Sequence, residues 1–334
     1  MSITQNLIER ARANKQRIVL PEALEERTLT AADKVLADGF AKIILIGNPD
    51  AIHTLAAKLN LQHIDKAEIV DPENNPKMEE YAQLLFELRK KKGMSIEMAR
   101  DLVKDPLYLG CLIIKSDDAD GQISGALSTT GETLRPALQI IKCAPGVSVV
   151  SGAMLLFTQA EEYGQAGIIV MGDVADMPMP DAEQLAQIAY CTAQTAKSVA
   201  GIEEPRVAML SFSTKGSAKA PEVDKVVEAT KLAQELAPEV LIDGELQFDA
   251  SYSEIVADQK APGSDVAGHA TVYIFPDLQS GNIGYKIAQR LGRYEAVGPI
   301  LQGLNAPISD LSRGCVEEDV YKVAIITANQ ALAK

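Results

Sequence analysis

The residues with the clearest chemical potential lie in the segment 310–319, which reads DLSRGCVEED. Arg313 stands between the hydroxyl of Ser312 and a glycine, and a guanidinium can grip two phosphoryl oxygens in parallel where a lysine offers one point charge. Asp319 follows about two helical turns after Ser312, so both side chains can face one crevice. Cys315 is either a reactive thiol beside the arginine or, as is commoner for a free cysteine, a small core residue.

A second segment, residues 125–135, places consecutive hydroxyls before a helix that carries an arginine. Ser128, Thr129 and Thr130 supply the hydroxyls, and Arg135 falls within the first two helical turns. Free N–H groups at a helix start and a nearby guanidinium together make a phosphate site. A threonine cap followed by a glutamate also explains the hydroxyls, but it leaves a cation at the positive end of the helix dipole.

Two further segments could hold anions. The run RKKK at 89–92 is the densest positive charge in the chain, and it suits either a polyanionic ligand such as coenzyme A or the solvated C-terminal end of a helix. Residues 211–217, SFSTKGS, combine hydroxyls, a cation and a glycine after an apolar run, without the spacing of a nucleotide triphosphate loop. A hydroxyl-rich turn that binds its own backbone explains this second segment equally well.

Composition excludes several classes of function. The 334 residues carry 32 basic and 46 acidic side chains, and the net charge of −14 repels nucleic acid backbones and anionic membranes. The four cysteines and three histidines do not have the spacing of a redox pair, a zinc ribbon or an H-E-x-x-H site, so no metal is expected. The N-terminal segment has no apolar signal region and no window is long enough to span a membrane, which favours a reducing cytoplasm.

Short β-branched runs alternate with longer amphipathic segments, a pattern typical of βα units and a mostly parallel sheet. The expected strands are residues 17–20, 42–46, 112–115, 147–150, 168–171, 207–212, 240–242 and 271–275. Proline followed by an acid predicts helix starts near residues 21, 180 and 221. Turn clusters at 143–146 and 298–299 are the candidate domain borders. In such folds ligands bind beyond the carboxyl ends of the strands, where the loops described above would lie.

Four stretches together resemble the phosphate acetyltransferase, or phosphotransacetylase, family in its short form without an N-terminal regulatory domain. They are residues 211–217, 243–249 (DGELQFD), 276–286 (PDLQSGNIGYK), and 298–304 (GPILQGL) with the following 310–314. The likeness covers essentially the whole chain. The run MGDVADMPMP at 171–180 departs from the family, which more often has a sequence of the type Ala-Asp-Cys-Ala-Val-Asn-Pro there.

This resemblance implies reversible transfer of an acetyl group between acetyl phosphate and coenzyme A. It also implies two three-layer α/β/α domains with a cleft between them, similar to the isocitrate and isopropylmalate dehydrogenases, in a homodimer. The first domain would comprise residues 1–146 plus 299–334 and the second residues 147–298. Coenzyme A would be a substrate, with no tightly bound cofactor, no metal, and no nucleic acid or membrane partner.

Site residues follow from the resemblance by position. The expected catalytic residues are Ser312, Arg313 and Asp319. The expected coenzyme A contacts are Arg89 and Arg135. The expected contacts to phosphate or acetyl phosphate are Ser128, Thr129, Thr130, Tyr285 and again Arg313.

The chemistry needs no covalent intermediate, because an acyl phosphate is already activated and phosphate is a good leaving group. The attacking thiol is the weak partner, since only a few per cent is thiolate near neutral pH. Asp319 is therefore the expected base, and Arg313 the clamp on the phosphoryl oxygens. Ser312 would hydrogen-bond the oxygen on which charge develops.

Three alternatives stay open at the level of the sequence. An acyltransferase for a longer chain such as butyryl would differ only in pocket volume. A metal- and nicotinamide-dependent decarboxylating dehydrogenase on the similar fold would need a carboxylate cluster, for which Asp243, Glu245 and Asp249 are candidates. A non-catalytic sensor of phosphate or coenzyme A would leave Asp319 beside the arginine without a purpose.

Overall fold

The computed structural model describes residues 3–158, 160 and 163–333, and the chain divides into two compact units. Unit 1 comprises Met1–Ala144 and Leu304–Lys334, and unit 2 comprises Pro145–Gly303. The second border falls after Gly303 and not at the turn formed by Gly298 and Pro299. Those two residues lie inside a strand, Glu295–Gln302, that pairs within unit 2.

The elements are numbered along the chain. The strands are β1 (Gln16–Leu20), β2 (Ala41–Ile46), β3 (Glu68–Val70), β4 (Gly121–Ser124), β5 (Ser151–Phe157), β6 (Ile168–Ala175), β7 (Arg206–Leu210), β8 (Leu241–Leu246), β9 (Val272–Ile274), β10 (Glu295–Gln302) and β11 (Ile308–Asp310). The helices are α1 (Ile3–Ala13), α2 (Glu26–Asp38), α3 (Pro49–Lys58), α4 (Met78–Arg89), α5 (Ile96–Leu102), α6 (Pro106–Lys115), α7 (Thr130–Pro136), α8 (Ala182–Ser198), α9 (Pro221–Leu236), α10 (Phe248–Tyr252), α11 (Glu254–Lys260), α12 (Leu278–Arg290) and α13 (Glu317–Ala331).

Unit 1 is built on a parallel sheet with the strand order β11-β4-β1-β2-β3. Successive residues of a strand point to opposite faces, and β1 shows this directly. Ile18 and Leu20 pack into the apolar cluster that contains α1, α2, α3 and α13, whereas Val19 packs into the cluster of α4, α5 and α6. The sheet is therefore covered by helices on both faces, which confirms the expected three-layer α/β/α arrangement for this unit.

The carboxyl ends of β11, β4 and β1 lie side by side, because these three strands are parallel neighbours in the sheet. Three segments begin there: the β1 loop (residues 21–25), the β4 loop (residues 125–129) and the β11 loop (residues 311–316). The first residue of the β4 loop is Gly125, with φ +105°. A Cβ at Gly125 would lie 2.5 Å from the carbonyl oxygen of Leu311, so only glycine permits this approach of the β4 and β11 loops.

Unit 2 has a six-stranded sheet with the order β10-β5-β6-β9-β7-β8. Its central strands are parallel, and β5 runs antiparallel to both of its neighbours. Helices α8 and α9 contact this sheet, as does α12, which packs along β6. Both units are thus α/β folds dominated by parallel strands, as the alternating sequence pattern predicts.

Three expectations about local structure were wrong. Residues 112–115 were expected to form a strand but belong to α6, which begins after Asp105, whose side chain accepts the N–H of Leu107. This helix is buried on nearly all sides, so its apolar run lacks the amphipathic period that distinguishes a helix. Residues 147–150 precede β5 without joining it, and α2 begins at Glu26, five residues after the expected start at Pro21.

Among the described residues, no helix has the length and apolar character needed to cross a membrane.

Asp173, in β6, is a buried carboxyl in an unusual backbone position. Its φ is +56°, and the pairing of β5 with β6 shifts register beside it. Both carboxyl oxygens are buried and lack a hydrogen-bond partner within the described part of the chain. Burial raises the pKa of Asp173 to about 7, the charges of Asp277 and Asp176 act in the same direction, and Lys225 opposes them.

This raised pKa predicts how the stability of the protein depends on pH. Between the usual aspartate pKa, about 4, and about 7, the folded chain keeps a proton on Asp173 that the unfolded chain releases. Rising pH therefore favours unfolding across that window, and the effect levels off above it. Relative to the Asp173→Asn variant, the free energy of unfolding of the parent should fall by roughly a few kcal/mol between pH 4 and 7 in urea titrations.

Asp258→Asn, at an exposed position of α11, is the matched control and should keep the pH dependence of the parent. A parent and an Asp173→Asn variant with parallel stability profiles over this range would contradict the protonated state of Asp173.

Candidate functional site

Ser312 and Arg313 lie in the β11 loop, where both are exposed. The hydroxyl of Ser312 accepts the main-chain N–H of Gly314 at 3.2 Å, which tightens the turn around Arg313. No hydrogen bond or ion pair engages the guanidinium of Arg313 among the residues that the structure describes. The group is therefore available to an anion that approaches the carboxyl edge of the unit 1 sheet.

Asp319 lies in the first turn of α13, close in sequence to the β11 loop. Its side chain is exposed, and one carboxylate oxygen accepts the N–H of Val316 at 2.9 Å. Asp319 therefore also stabilises the start of α13, by binding a free N–H there. The other oxygen of Asp319 has no hydrogen bond to a residue that the structure describes, and the side chain is exposed.

The β4 loop and the start of α7 hold the three expected hydroxyl residues. Thr129 caps α7 in a reciprocal arrangement with Glu132, which accepts the N–H and the hydroxyl of Thr129 at 2.8 Å each. Thr130 donates its hydroxyl to Asp310 at 2.6 Å, a contact that links α7 to the end of β11. Ser128 is half-buried and adjoins both. The capping explanation for this segment is thus correct for Thr129, and the hydroxyl of Thr130 is also engaged.

Arg135 and Arg313 both lie within electrostatic reach of the carboxylate of Glu132. Hydrogen bonds from Thr129 hold the pKa of Glu132 below its usual range, and the charges of Arg135 and Arg313 add to this effect. Arg89 belongs to the same neighbourhood, because the charges of Arg135 and Arg89 both oppose the rise that burial causes in the pKa of Tyr108. Unit 1 therefore brings Arg135 within electrostatic reach of the same groups as Arg313 on one side and Arg89 on the other.

Arg89 differs from the lysines that follow it. It is half-buried at the end of α4, and its Nε is buried with no partner in the described ranges. Lys90 pairs with Glu87, while Lys91 and Lys92 are exposed. Of the basic run, Arg89 is the half-buried residue, and Lys90, Lys91 and Lys92 are exposed.

Two residues that sequence reasoning did not single out hold the site loops. Arg27, in α2, donates to the carbonyl oxygens of Arg313 at 2.9 Å, of Cys315 at 2.6 Å and of Ala126 at 3.0 Å. Glu22, in the β1 loop, accepts main-chain N–H groups of the β4 loop. The signal was the Pro21-Glu22 pair directly after a strand, which the helix-start interpretation had absorbed.

Cys315 is a core residue and not a nucleophile. It is 6% exposed, within the apolar cluster between the sheet and α2 and α13. Burial raises the pKa of its thiol, which outweighs the opposite effect of Arg27. The thiol is therefore protonated and shielded at neutral pH.

Tyr285 belongs to unit 2, on α12, whereas the other predicted site residues belong to unit 1. Its ring is half-buried against the apolar cluster of unit 2, and burial raises the pKa of its hydroxyl. Its assignment to phosphate stays a prediction.

The hydroxyl-rich segment 211–217 binds the carboxylate of Glu245, a residue of the same unit. Glu245 accepts the hydroxyl of Ser213 and the N–H of Gly216, each at 2.8 Å. Lys215 pairs with Asp243, and Lys260 with Asp249 at 2.8 Å. The three carboxylates considered for a dehydrogenase thus each engage a neighbour in unit 2, and the segment is a turn that binds its own chain.

The comparisons with known proteins agree with one another. A family model described as phosphate acetyl/butaryl transferase matches residues 2–328. A phosphate acetyltransferase of Thermoanaerobacterium thermosaccharolyticum is 52% identical over 331 residues, 99% of this chain and 100% of that protein. The phosphate acetyltransferase of Bacillus subtilis is 48% identical over 324 residues, 97% of each chain.

Solved structures give the same result. A phosphotransacetylase from Streptococcus pyogenes superposes with a TM-score of 0.94 at 45% identity and full coverage of both chains. A phosphotransacetylase from Staphylococcus aureus superposes with a TM-score of 0.92 at 46% identity and 98% coverage of both. A branched-chain phosphotransacylase from Enterococcus faecalis, 16% identical with a TM-score of 0.65, shares the fold.

Proposed function

The chain belongs to the phosphate acetyl/butaryl transferase family and catalyses reversible acetyl transfer between acetyl phosphate and coenzyme A, and we propose that it does so by direct attack of the thiol, at the carboxyl edge of the unit 1 sheet. The observation that supports this location is that the exposed guanidinium of Arg313 lies in the β11 loop, which closely approaches the β4 loop with its hydroxyl residues. An acyl phosphate presents the complementary groups, phosphoryl oxygens and a carbonyl.

In the proposed reaction, Arg313 binds two oxygens of the phosphoryl group, and Ser128, Thr129 and Thr130 complete that side. The sulfur forms a bond to the acetyl carbon while the bond from that carbon to the phosphate oxygen breaks. Developing charge on the departing phosphate is neutralised by a guanidinium that is already in place. The hydroxyl of Ser312 stabilises the carbonyl oxygen in the same step.

The thiol proton passes to Asp319 in this proposal. The exposed carboxylate oxygen of Asp319 is free to receive it, while the bond from the N–H of Val316 fixes the orientation of the group. Arg89 and Arg135 bind phosphate groups of coenzyme A, which a net charge of −14 would otherwise repel. Coenzyme A enters as a substrate, and no step requires a resident cofactor.

Acetyl is the proposed acyl group. The relatives that are about half identical over the full chain carry phosphate acetyltransferase in their names. The family description also includes butyryl transfer, so rates with butyryl phosphate compared with acetyl phosphate test this choice. Cytoplasmic location is part of the same proposal, because all four cysteines are free and a reducing compartment keeps them so.

A homodimer is the proposed assembly, and α12 offers a surface for it. Ile283, Ile287 and Leu291 lie one turn apart along this helical segment, and their exposed fractions are 54%, 53% and 80%. Only Gly281 of α12 is buried, although its spacing of apolar residues is that of a packed helix face. A second copy of the chain would remove this apolar stripe from water.

The stripe predicts that Ile287→Asp weakens self-association. A carboxylate in an apolar contact costs several kcal/mol unless it finds a partner, so the apparent mass in light scattering should fall from dimer to monomer at micromolar concentration. Ile255→Asp, at a more exposed position on α11, is the control and should remain dimeric. A parent that is monomeric, or an Ile287→Asp variant that is fully dimeric, would contradict this interface.

Arg313→Lys should lose most activity although the charge is kept. One ammonium cannot present two parallel donors to a phosphoryl group, so we expect kcat/KM to fall by about 30- to 1,000-fold, equivalent to roughly 2 to 4 kcal/mol. A thioester absorbance assay with coenzyme A and acetyl phosphate measures this. Arg100→Lys, in an exposed ion pair with Glu79, is the control and should change the rate less than about twofold. Equal rates for Arg313→Lys and the parent would show that two parallel donors are not needed.

Arg89→Ala should raise the KM for coenzyme A more than the KM for acetyl phosphate. The difference should shrink as added salt screens the charge pair. Lys92→Ala, at the exposed end of the same basic run, should change the KM for coenzyme A less. Equal, salt-independent changes in both KM values would mean that Arg89 supports the fold alone.

Asp319→Asn should lower kcat by about 10²- to 10⁴-fold if the residue accepts the thiol proton. The deficit should narrow as pH rises toward the thiol pKa, about 8.5, because free thiolate needs no base. The control is Glu317→Gln, an exposed acid in the same helical turn. Melting temperatures should accompany the assay, since Asp319 also binds the helix start. Parallel pH profiles for Asp319→Asn and the parent from pH 6 to 9 would remove the base assignment.

A further inference from the structure

Three consecutive main-chain N–H groups of the β4 loop converge on one side chain. Glu22 accepts the N–H of Ala126 at 2.8 Å, of Leu127 at 3.2 Å and of Ser128 at 2.8 Å. Successive N–H groups that point to one place form a concavity that binds anions. In this protein the anion is a carboxylate of the chain itself.

Glu22 is held firmly in this position. The residue is 9% exposed and lies directly beyond β1, the strand that pairs with β4. A carboxylate with so little exposure needs hydrogen bonds and positive charge to offset its loss of hydration. The three N–H groups supply the hydrogen bonds. Arg27 supplies the positive charge, since the charge of Glu22 contributes to the raised pKa of Arg27.

The main chain of Ala126 is held by two hydrogen bonds, one on its N–H and one on its carbonyl oxygen. Its N–H donates to Glu22 at 2.8 Å, and its carbonyl oxygen accepts from Arg27 at 3.0 Å. The ends of the β4 loop are fixed as well, because the N–H of Leu311 donates to the carbonyl of Ser124 at 2.7 Å and Thr130 binds Asp310. Glu22 is the contact that holds the middle of the loop.

We propose that Glu22 is a positioning residue for the phosphate side of the transfer reaction. This inference rests on the proposed function, which assigns Ser128, Thr129 and Thr130 to phosphate. With its N–H groups occupied by Glu22, the β4 loop presents the hydroxyl of Ser128 to the substrate, in a geometry that exists before the substrate arrives. A preorganised polar group needs no reorganisation during the reaction, so loosening the loop should weaken the interaction with the phosphoryl group selectively.

The variant Glu22→Gln tests this directly. The amide keeps the size of the side chain but removes its charge and turns donor hydrogens toward at least one loop N–H. We expect the KM for acetyl phosphate to rise about tenfold or more, and the KM for coenzyme A to change less than about threefold. Asp33→Asn is the matched control, because Asp33 also accepts a main-chain N–H in unit 1, that of His63. It should leave both KM values within about twofold of the parent.

A double-mutant cycle separates positioning from a general loss of stability. If Glu22 acts through the β4 loop, Glu22→Gln should raise the KM for acetyl phosphate much less in a Ser128→Ala background than in the parent. A residue that only stabilises unit 1 would give fold-increases that multiply. Multiplying effects, equal rises in both KM values, or a parent-like KM in Glu22→Gln would each overturn the proposal.

Two further variants, Glu22→Asp and Ser128→Ala, separate the positioning role from a folding failure and from failure of the proposed function. If Glu22→Gln does not fold, Glu22→Asp carries the same expectations, because it keeps the charge but withdraws it by one carbon–carbon bond, about 1.5 Å. If the proposed phosphate site is wrong, Ser128→Ala will leave the KM for acetyl phosphate unchanged. That result would overturn both the assignment of Ser128 to phosphate and the positioning role of Glu22. If Ser128→Ala raises that KM and neither Glu22 variant does, the positioning role alone is wrong.

Discussion

The parallel pairing of β1, β4 and β11 is the constraint on which the site depends. Because the three strands run in the same direction as neighbours, their carboxyl ends meet at one edge of the sheet. Residues that are remote in sequence become neighbours there: Arg27 and Arg313 are 286 positions apart, yet the guanidinium of one binds the carbonyl of the other. The glycine at position 125 then allows the β4 loop to approach the β11 loop closely enough to share contacts.

The predicted arginines of unit 1 carry positive charge in a protein whose net charge is strongly negative. The chain carries a net charge of −14, which would weaken the binding of phosphate and of coenzyme A at a typical surface position. In the proposed reaction Arg89, Arg135 and Arg313 offset this repulsion, and two of them also add to the lowering of the pKa of Glu132. The buried acid of the same edge, Glu22, accepts N–H groups of the β4 loop and lies within electrostatic reach of Arg27.

Much of this arrangement could be predicted from sequence. The alternation of β-branched runs with amphipathic segments gave the α/β class and located β1, β2, β6 and α9 closely. The short strands β3, β4 and β11 were missed, because three or four residues carry too little period to be distinguished from a loop. The buried run in α6 was taken for a strand because it is apolar on every side.

The site shows the same division. Arg313 stays a predicted site residue, because a cation beside a hydroxyl suits an anion. The argument for Arg135 was wrong in one respect, since Arg135 lies in the last turn of the short α7 and not at the positive end of a long helix. Glu22 could not be recognised from the sequence, because its role comes from the neighbouring strand β4, about a hundred residues later in the chain. Hydroxyls were the ambiguous signal: Thr129 caps its helix, and those in segment 211–217 hold Glu245, although the composition of both loops suits a phosphate.

In the proposed reaction the acetyl group passes directly from phosphate to sulfur, with no acetyl-enzyme. Incubation of the protein with acetyl phosphate and isotopically labelled phosphate, in the absence of coenzyme A, tests it most directly. Direct transfer requires both substrates together, so no label should enter acetyl phosphate until coenzyme A is added. Exchange of label without coenzyme A, at a rate comparable to turnover, would demonstrate a covalent acetyl intermediate and contradict the account.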